Sequence, residues 1–506
     1  MLRKKFIVTN KSHLQNKYLN EFQAIQSAFI PLISVDKTDG IDTTVIYMDD
    51  EEQMNSLKAT AITDPNNEQQ TKVAIDSLFA SQDPDFVTIF GASDVVVLQS
   101  LENPAKGEGD GDTNVPSDLP YACNAEYNTS INHFLNPSRD ITRLPDMVGG
   151  SASAYPLRVL SNAANQKTSS LNAYKQYFGI STDQWQSSTK TSVTNVYGNS
   201  TNLNISPPSG PNWSAKELQE MSFFFNLHGG NENPNFYNGH DDYYGKPVVC
   251  FTSEQITPGL TTNMLISVEA CYGAQLYNPS NSTFKQQGIC SAAIYAGCCA
   301  YFGSTNIAYG PPDGQGQADI ITQKFLIHLF EGKSIGQAAL EARTDFISVS
   351  DMLLPTNVKT LGQFLVIGNG GFEPVEIPTE SLVKALEKQG INIMSKDFKS
   401  ENEKRARAIR NTVDSSEPAP DHPIPKIVQK TINTILSSKN FLSHSISIHK
   451  VNFNKNHAKL YENAGDVHIY TLHAVIGQRP YGEHAIVYHI KATEDNIIEV
   501  VETHTK

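Results

Sequence analysis

The stretches MSFFFNLHGG (residues 221–230) and MLISVEACYG (residues 264–273) are built alike, and together they decide the fold. Each begins with a short apolar run and ends near a residue able to do chemistry, His228 in the first and Cys271 in the second. Continuous apolar runs of this length are typical of strands buried on both faces of a parallel sheet. Open α/β sheets hold their functional sites at the carboxyl ends of such strands. We therefore expect the imidazole and the thiol to meet at one edge of the sheet.

The rest of the first 378 residues alternates predicted strands and helices. This rhythm predicts a mostly parallel sheet flanked by helices, which is the α/β class. The region 179–211 is polar, with Trp185 as the one large anchor at its centre. The predicted strands are 5–9, 43–48, 86–90, 221–225, 264–268 and 360–367, and the predicted helices are 14–33, 70–80, 169–178, 319–331 and 334–348, the last capped by Ser334.

The tail beyond residue 378 differs in composition and predicts a separate unit. Charged amphipathic helices are predicted at 380–389 and 401–413, and the four prolines within 417–425 are typical of a linker. A helix at 427–436 and strands at 445–451, 467–476, 485–491 and 497–503 predict a small α+β module without a visible catalytic group. The predicted domains are an N-terminal α/β subdomain (1–165), a catalytic subdomain (166–378), a helical linker region with a proline-rich end (379–426) and a C-terminal module (427–506).

Charge and composition narrow the classes of function. The 506 residues carry a formal net charge of −14, which argues against a nucleic-acid-binding protein because such proteins present a basic surface. No apolar run approaches the ~20 residues that span a bilayer, and the N-terminus lacks the apolar stretch of a secretory signal. We therefore expect the protein in the cytoplasm, or exported without a Sec-type signal peptide. Six cysteines in so long a chain do not indicate a disulfide scaffold.

His228 and Cys271 form the pair that a cysteine hydrolase needs. A thiol with an ordinary pKa of ~8.5 needs a nearby imidazole or a helix N-terminus to ionise near neutral pH. Cys271 is predicted at a strand-to-helix junction, where Gly273 allows a tight turn. The backbone N–H groups of Gly229 and Cys271 are the candidate donors to a developing oxyanion. His228 is the general acid for the leaving amine and the candidate base.

Glu269 is the candidate determinant of specificity. Side chains two apart on a strand point to the same face, so the carboxylate emerges on the same side as the thiol of Cys271, one step deeper. A carboxylate at the floor of a pocket would select an Arg or Lys side chain, or accept the amide of Asn. The alternative is a carboxylate at a strand end that is paired with an internal Arg or Lys.

Two patterns suggest metal binding only weakly. Asp110, Asp112 and Asn114 resemble the start of a calcium loop, but Val115 stands where the loop glycine is expected and the terminal Glu is absent. A surface loop is the favoured interpretation. The run from His240 to residue 242 (HDD) offers metal ligands, although a solvated loop is favoured there as well. No metal ligand is assigned.

Several motifs in addition to the His-Gly and Glu-Ala-Cys pair resemble the gingipain-type family of cysteine peptidases, which belongs to the caspase-like clan with caspases, legumain and clostripain. The resemblance covers about residues 1–375. The further matching segments are 85–91 (DFVTIFG), 117–121 (SDLPY), 140–145 (DITRLP, with Thr142 in place of Gly), 300–305 (AYFGST) and 364–368 (FLVIG).

The resemblance implies a caspase-like α/β fold with an N-terminal subdomain of related architecture and a catalytic dyad of His228 and Cys271. It places Glu269 in the specificity pocket, and it gives Ser304, Thr305 and Tyr309 the positions that wall the substrate pocket. No cofactor is required by this chemistry. The family often binds structural calcium, for which no ligand set can be assigned in this sequence.

These observations predict a cysteine endopeptidase that cleaves after Arg or Lys, with Asn as second choice, through an acyl-enzyme on the cysteine. Its partner would be a protein or peptide substrate. One alternative is a catalytically silent scaffold on the same fold that binds partners through the C-terminal module. The other is a transpeptidase or acyltransferase that uses the same dyad to join rather than cut.

Overall fold

The computed structural model describes residues 2–107, 109–238, 248–256, 262–311, 313–376, 404, 414–453, 466–479 and 482–506. A ten-stranded sheet forms the centre of the molecule and a six-stranded antiparallel sheet lies beside it. The predicted α/β fold, with a mostly parallel central sheet, flanking helices and a smaller C-terminal sheet, is confirmed.

The central sheet consists of two parallel halves that meet antiparallel at its middle, between strands 364–368 and 300–304. Every other pairing in this sheet is parallel. The strands, in order across the sheet, are β2 (Ile41–Tyr47), β1 (Arg3–Thr9), β3 (Phe86–Phe90), β6 (Ile141–Leu144), β16 (Phe364–Gly368), β14 (Ala300–Ser304), β13 (Leu265–Val268), β10 (Ser222–Asn226), β8 (Tyr177–Thr182) and β9 (Leu203–Ser206).

The central strands form because their side chains are buried on both faces. Along β10, Phe223 and Phe225 enter one hydrophobic cluster and Phe224 enters the other, as the alternation of side chains along a strand requires. Helices cover both clusters, which explains the uninterrupted apolar runs in the sequence. The helices are α1 (Lys11–Tyr18), α2 (Phe22–Thr38), α3 (Glu51–Ser56), α4 (Glu68–Gln82), α5 (Ala154–Ala164), α6 (Leu171–Lys175), α7 (Gln186–Tyr197), α8 (Ile289–Ala296), α9 (Gln317–Phe330), α10 (Ile335–Val349), α11 (Pro355–Gln363) and α12 (Lys426–Ser438).

The C-terminal sheet carries α12 on one face, where Val428 and Ile432 pack against strand residues. One edge strand of this sheet, β15 (Tyr309–Gly310), comes from the segment between β14 and α9, so the two sheets are joined. Its strands, in order, are β15 (Tyr309–Gly310), β22 (Ile497–Thr505), β21 (Gly482–Ala492), β20 (His468–Arg479), β19 (Ser443–Asn452) and β18 (Ser415–Pro418). Three short pairs complete the strands: β4 (Gln99–Glu102) with β5 (Asn114–Ser117), β7 (Ser169–Ser170) with β17 (Val375–Glu376), and β11 (Asn235–Asn238) with β12 (Val248–Thr252).

Three sequence predictions of elements differ from the structure. The helix predicted at 169–178 is wrong beyond α6, because Tyr177–Thr182 is the buried strand β8 that pairs with β10. The polar region after it contains α7 and β9. Hydroxyl groups of this region are hydrogen-bonded within the fold, as between Thr189 in α7 and Ser181 in β8 at 2.7 Å. The last strand begins at Phe364 rather than at residue 360, since α11 runs through Gln363. Ser415–Pro418, at the start of the expected linker, is strand β18.

The helices predicted at 380–389 and 401–413 fall outside the described residues, apart from residue 404. The N-cap predicted at Ser334 is confirmed, because its side chain accepts a hydrogen bond from the backbone N–H of Gln337. Among the helices within the described ranges, none has the length and apolar character needed to cross a bilayer.

Candidate active site

The two motifs lie side by side, because β10 and β13 are neighbouring parallel strands with Phe225 opposite Val268. The backbone N–H of Glu269 donates to the carbonyl oxygen of Phe225 at 2.7 Å, which continues the pairing beyond the strand ends. Gly229 then comes against Cys271: a Cβ on Gly229 would lie 1.8 Å from the backbone oxygen of Cys271. Only a glycine fits this approach, and it brings the His-Gly segment to the cysteine.

His228 is held from both sides. Its backbone exchanges two hydrogen bonds of 2.7 Å with Tyr237, next to the β11–β12 hairpin. Its ring lies 4.5 Å from the ring of Trp185 and 6.1 Å from the ring of His484, measured between centroids. The imidazole is therefore buried in an aromatic setting between the central sheet and the C-terminal sheet.

The thiol of Cys271 is covered by the last residue of the sequence. Cys271 is only 5% exposed, and its Sγ contacts the backbone oxygen of Lys506. The backbone N–H of Ala308 donates to the same sulfur at 3.2 Å. Burial raises the pKa of the Cys271 thiol to about 12, against the opposing effect of the Ala308 N–H. The cysteine is thus in its protonated form while Lys506 covers it.

A turn, rather than a helix, follows the cysteine. Gly273 N–H donates to the carbonyl oxygen of Ala270 at 3.1 Å, and the next helix, α8, begins only at Ile289. The prediction of a strand-to-helix junction at Cys271 is therefore wrong, whereas the tight turn at Gly273 is confirmed. Among the helices of the described residues, none begins at Cys271, so none of them lowers the pKa of the thiol there.

A pocket beside the thiol binds the side chain of Lys506. The ammonium nitrogen lies 2.7 Å from Glu269 Oε2, 2.7 Å from Asp319 Oδ1 and 3.1 Å from Asn226 Oδ1. An ammonium has three N–H donors, and each has an acceptor here. The ring of Trp185 lies 5.2 Å from the same nitrogen, within the range of a cation–π contact.

The pocket is buried and its charges depend on one another. Burial raises the pKa of Glu269 well above its ordinary value, the Asp319 carboxylate adds to this, and Lys506 opposes it. For Lys506, burial lowers the pKa, but Asp319 and Glu269 outweigh burial and the pKa is raised. The lysine is therefore charged and stabilises the buried carboxylates. Without a cation, two carboxylates would share one dry site, which is unfavourable.

The backbone of Lys506 lies in a groove along β15. Strand β22 pairs antiparallel with β15, with Thr505 opposite Tyr309 and His504 opposite Gly310. The backbone N–H of Lys506 donates to the carbonyl oxygen of residue 308 at 2.9 Å. An extended chain that adds a strand in this way is a common mode of peptide recognition, since main-chain hydrogen bonds bind it without regard to sequence.

Gly310 makes room for the lysine side chain. A Cβ at this position would lie 2.0 Å from Cε of Lys506 and 3.3 Å from Oδ2 of Asp319. Any larger residue would fill the entrance of the pocket. Gly310 thus shapes the pocket through the absence of a side chain.

The other predicted pocket residues lie behind the groove. Ser304 Oγ donates to the carbonyl oxygen of Asn306 at 2.7 Å, and Thr305 Oγ1 is 3.0 Å from Oδ1 of Asn306. The hydroxyl of Tyr309 donates to Asp110, so its ring points away from Lys506 while its backbone pairs with β22. These three residues, all buried, hold the segment 304–310 in place beneath the bound strand.

Two carboxylates of the acidic loop, those of Asp110 and Asp112, hold a buried lysine. Lys359 Nζ lies 2.6 Å from Asp110 Oδ2 and 3.1 Å from Asp112 Oδ2. Asp112 also accepts hydrogen bonds from the Tyr272 hydroxyl at 2.7 Å and from the Ile307 backbone N–H at 2.9 Å. The expectation of a surface loop holds for Gly111, Thr113 and Asn114, which are exposed, whereas the two carboxylates connect the turn after Cys271 to the segment that forms the groove.

Two further histidines bear on metal binding, His240 and His328. His240 falls outside the described residues. His328 is paired with Glu331 at 2.8 Å and with Asp345 at 3.1 Å, and these carboxylates raise its pKa to about 9 although burial opposes them. His328 and Asp345 belong to a group of side chains that could hold a metal ion. Lys324 lies 3.1 Å from Asp345, so this carboxylate is already shared by two cations. All six cysteines are buried and free.

Five residues of the site were not predicted from the sequence: Asn226, Asp319, Trp185, Gly310 and Lys506. Asn226 ends β10, directly within the first motif, and its position at a strand end was the available signal. Asp319 lies in the first turn of α9 and Trp185 just before α7. Nothing in the local sequence places these near Glu269, because the contacts arise from packing between distant elements.

The comparisons with known proteins assign the chain to no family. No family model matches the chain, and no curated protein matches it. A solved structure described as a protease matches with a TM-score of 0.45 and 12% sequence identity, over 99% of this chain and 96% of that chain.

Proposed function

We propose that the protein is a cysteine endopeptidase that hydrolyses peptide bonds after Lys or Arg, using Cys271 as nucleophile and His228 as general acid and base. One observation carries the proposal: Lys506 lies beside Cys271 as the residue before a scissile bond would lie. Its backbone oxygen contacts Sγ while its ammonium is bound by Glu269 and Asp319. The resemblance of residues 1–375 to gingipain-type peptidases of the caspase-like clan supports the same assignment.

In the proposed reaction, His228 takes the proton of the Cys271 thiol, and the resulting thiolate attacks the substrate carbonyl carbon. The carbonyl oxygen gains negative charge, which the N–H groups of Gly229 and Cys271 are proposed to stabilise. The C–N bond breaks, and the leaving amine takes a proton from the His228 imidazolium. Water, deprotonated by His228, then attacks the thioester, which releases the carboxylic acid product and restores the thiol.

The pocket favours lysine over arginine. Its acceptors on Glu269, Asp319 and Asn226 surround a single nitrogen, which suits the compact ammonium of lysine. A guanidinium is planar and spreads its donors over three nitrogens, so it uses the same acceptors less well. Asn, the second choice from the sequence, brings no charge to two carboxylates and is expected to be a poor substrate.

A catalytically silent scaffold is the second candidate, and one observation favours it. Cys271 is buried, and burial raises its thiol pKa to about 12, which is the reverse of an activated nucleophile. The covering group is Lys506, however, so the scaffold interpretation predicts an unreactive thiol even when Lys506 is replaced.

Fluorogenic peptides that end in Lys, Arg or Asn before the reporter test the proposal. Because Lys506 fills the pocket, the assay uses both the unaltered chain and Lys506→Ala. We expect cleavage in the order Lys, Arg, Asn, and its loss by about a thousandfold or more when Cys271→Ala is added. Cys290→Ala, which removes a buried thiol of α8, is the matched control and should retain activity.

Two results would reject the peptidase. One is the absence of cleavage in Lys506→Ala together with no selective labelling of Cys271 by a lysine-directed thiol probe, which favours the scaffold. The other is cleavage that survives Cys271→Ala. Joined products in the presence of added amines, detected by mass spectrometry, would instead indicate a transpeptidase with the same dyad.

A further inference from the structure

We propose that the C-terminal module inhibits the proposed peptidase from within the same chain, by laying β22 in the substrate groove with Lys506 in the specificity pocket. The inference rests on the proposed function and adds the regulation of that site. It also names the substrate class, an extended strand whose residue before the scissile bond is lysine. Three independent sets of contacts support it.

The first set is made by the backbone. Thr505 and His504 pair with Tyr309 and Gly310, and the N–H of Lys506 donates to the carbonyl of residue 308. The strand therefore ends with its last carbonyl at the sulfur of Cys271, where a substrate would present the bond to be cut. A substrate strand would need the same edge of β15, so the two are mutually exclusive.

The second set is made by the side chain. Every N–H donor of the Lys506 ammonium has an acceptor, and the side chain is fully buried between Glu269 and Asp319. A cationic substrate would have to displace it from the same acceptors. Since Cys271 is also covered, substrate has access to neither the pocket nor the nucleophile in this arrangement.

The third set attaches the C-terminal sheet, which includes β18, to the rest of the chain away from the groove. Ser416 Oγ donates to the carbonyl oxygen of Leu353 at 3.1 Å, and His489 Nε2 lies 2.9 Å from Thr356 Oγ1. On the same side, Asn132 Nδ2 donates to the carbonyl oxygen of Ser416 at 2.7 Å. The module is thus docked independently of its last residues. Docking keeps Lys506 near the pocket at a high effective concentration, which a free peptide must outcompete.

A binding experiment tests occupancy of the groove without requiring catalysis. The background is the full chain with Cys271→Ala, and the probe is a fluorescein-labelled peptide with the sequence VVETHTK, identical to residues 500–506. Binding is followed by fluorescence anisotropy. We expect Lys506→Ala in this background to bind the probe at least tenfold more tightly than the parent. Lys439→Ala, which removes a half-exposed lysine of the same module, should bind like the parent.

Folding and specificity have their own controls. Thermal unfolding checks that Lys506→Ala is folded, and a chain that ends at Thr503 gives the same expected gain if Lys506→Ala is not. A probe that ends in Glu instead of Lys should bind none of the variants. Equal binding of the lysine probe to the parent and to both Lys506 variants would overturn the inference.

The activity assay separates this inference from the function on which it rests. With Cys271 intact, Lys506→Ala should raise kcat/KM for a lysine peptide at least tenfold over the unaltered chain. Equal cleavage by both would reject inhibition and leave the peptidase standing. Tighter probe binding without any cleavage would reject the peptidase while showing that Lys506 occupies a lysine-binding groove.

Discussion

The Lys506 ammonium and the Glu269 carboxylate lie 2.7 Å apart, and both side chains are fully buried. The sequence left two interpretations of Glu269 open: a specificity determinant, or a carboxylate paired with an internal cation. The contact agrees with the second interpretation, because Lys506 is a buried cation paired with Glu269. The first remains the proposal, because the backbone of the paired lysine lies along β15 and its carbonyl oxygen contacts the sulfur of Cys271.

Replacing Glu269 by Gln should weaken cleavage after lysine. In the Lys506→Ala background, Glu269→Gln removes one oxygen acceptor of the substrate ammonium, and a hydrogen bond to a charged group is worth about 1.5–3 kcal/mol, which predicts a roughly 10- to 100-fold lower kcat/KM. Glu331→Gln, which alters a partly exposed carboxylate next to His328, is the control and should change little. Steady-state kinetics with lysine and arginine peptides make the measurement. An unchanged specificity profile would remove Glu269 from the pocket.

Filling the space at Gly310 should close the pocket. In the Lys506→Ala background, Gly310→Ala puts a methyl group where Cε of a bound lysine would lie, so we expect cleavage after lysine to fall far more than stability does. Overpacking a site of this kind costs about 1–3 kcal/mol. Gly111→Ala is the matched control, because nothing lies within 4 Å of its Cβ position. If the two variants bind and cleave lysine peptides equally, the pocket lies elsewhere.

The buried pair beneath the groove should stabilise the fold. Lys359→Met leaves the carboxylates of Asp110 and Asp112 without their cation, and breaking a buried pair in this way costs about 3–5 kcal/mol. Lys324→Met, at a partly exposed lysine paired with Asp345, should cost far less. Urea unfolding measures both. A Lys359→Met protein as stable as the unaltered chain would show that these carboxylates need no cation.

The C-terminal module should lose stability as the pH falls below ~6.5. Burial lowers the pKa of His489 to about 3 and that of His449 to about 4, with His473 and His449 adding to the effect at His489. The folded module therefore binds fewer protons than the unfolded one between these values and the ordinary pKa. Each histidine then removes about 1.4 kcal/mol per pH unit in that window.

Hydrogen exchange of β20 and β21 between pH 6.5 and 4.5 measures this loss, and His489→Gln should make the slope shallower. The chosen range avoids an opposing contribution. His328 has its pKa raised to about 9, so the stability it provides is complete below pH 6.5 and is lost only as the pH rises toward 9. A slope that is the same with and without His489 would contradict the prediction.

The sequence predicted the strands that are completely buried and the residues that lie at their ends. β3 and β13 were predicted to within a residue because their apolar runs have no other stable location. β8 was missed, since its sequence YFGIST mixes polar and apolar residues and becomes buried only by pairing with β10.

The site divides in the same way. Glu269 follows from the two-residue period of a strand, whereas Asp319 reaches the pocket from a helix that packs against the sheet. Lys506 lies 235 residues from Cys271 in the chain. No local pattern encodes a contact over such a distance, and only the completed sheet reveals it.

The edge strand β15 is only two residues long. A ladder this short holds the end of β22 by few backbone hydrogen bonds, so an incoming strand needs to displace only residues 504–506 from this edge, while the longer pairing of β22 with β21 keeps the rest of the sheet assembled. Such a displacement would switch the protein from closed to open by moving one short strand segment, without unfolding any domain. The length of β15 would then set how readily a peptide gains entry.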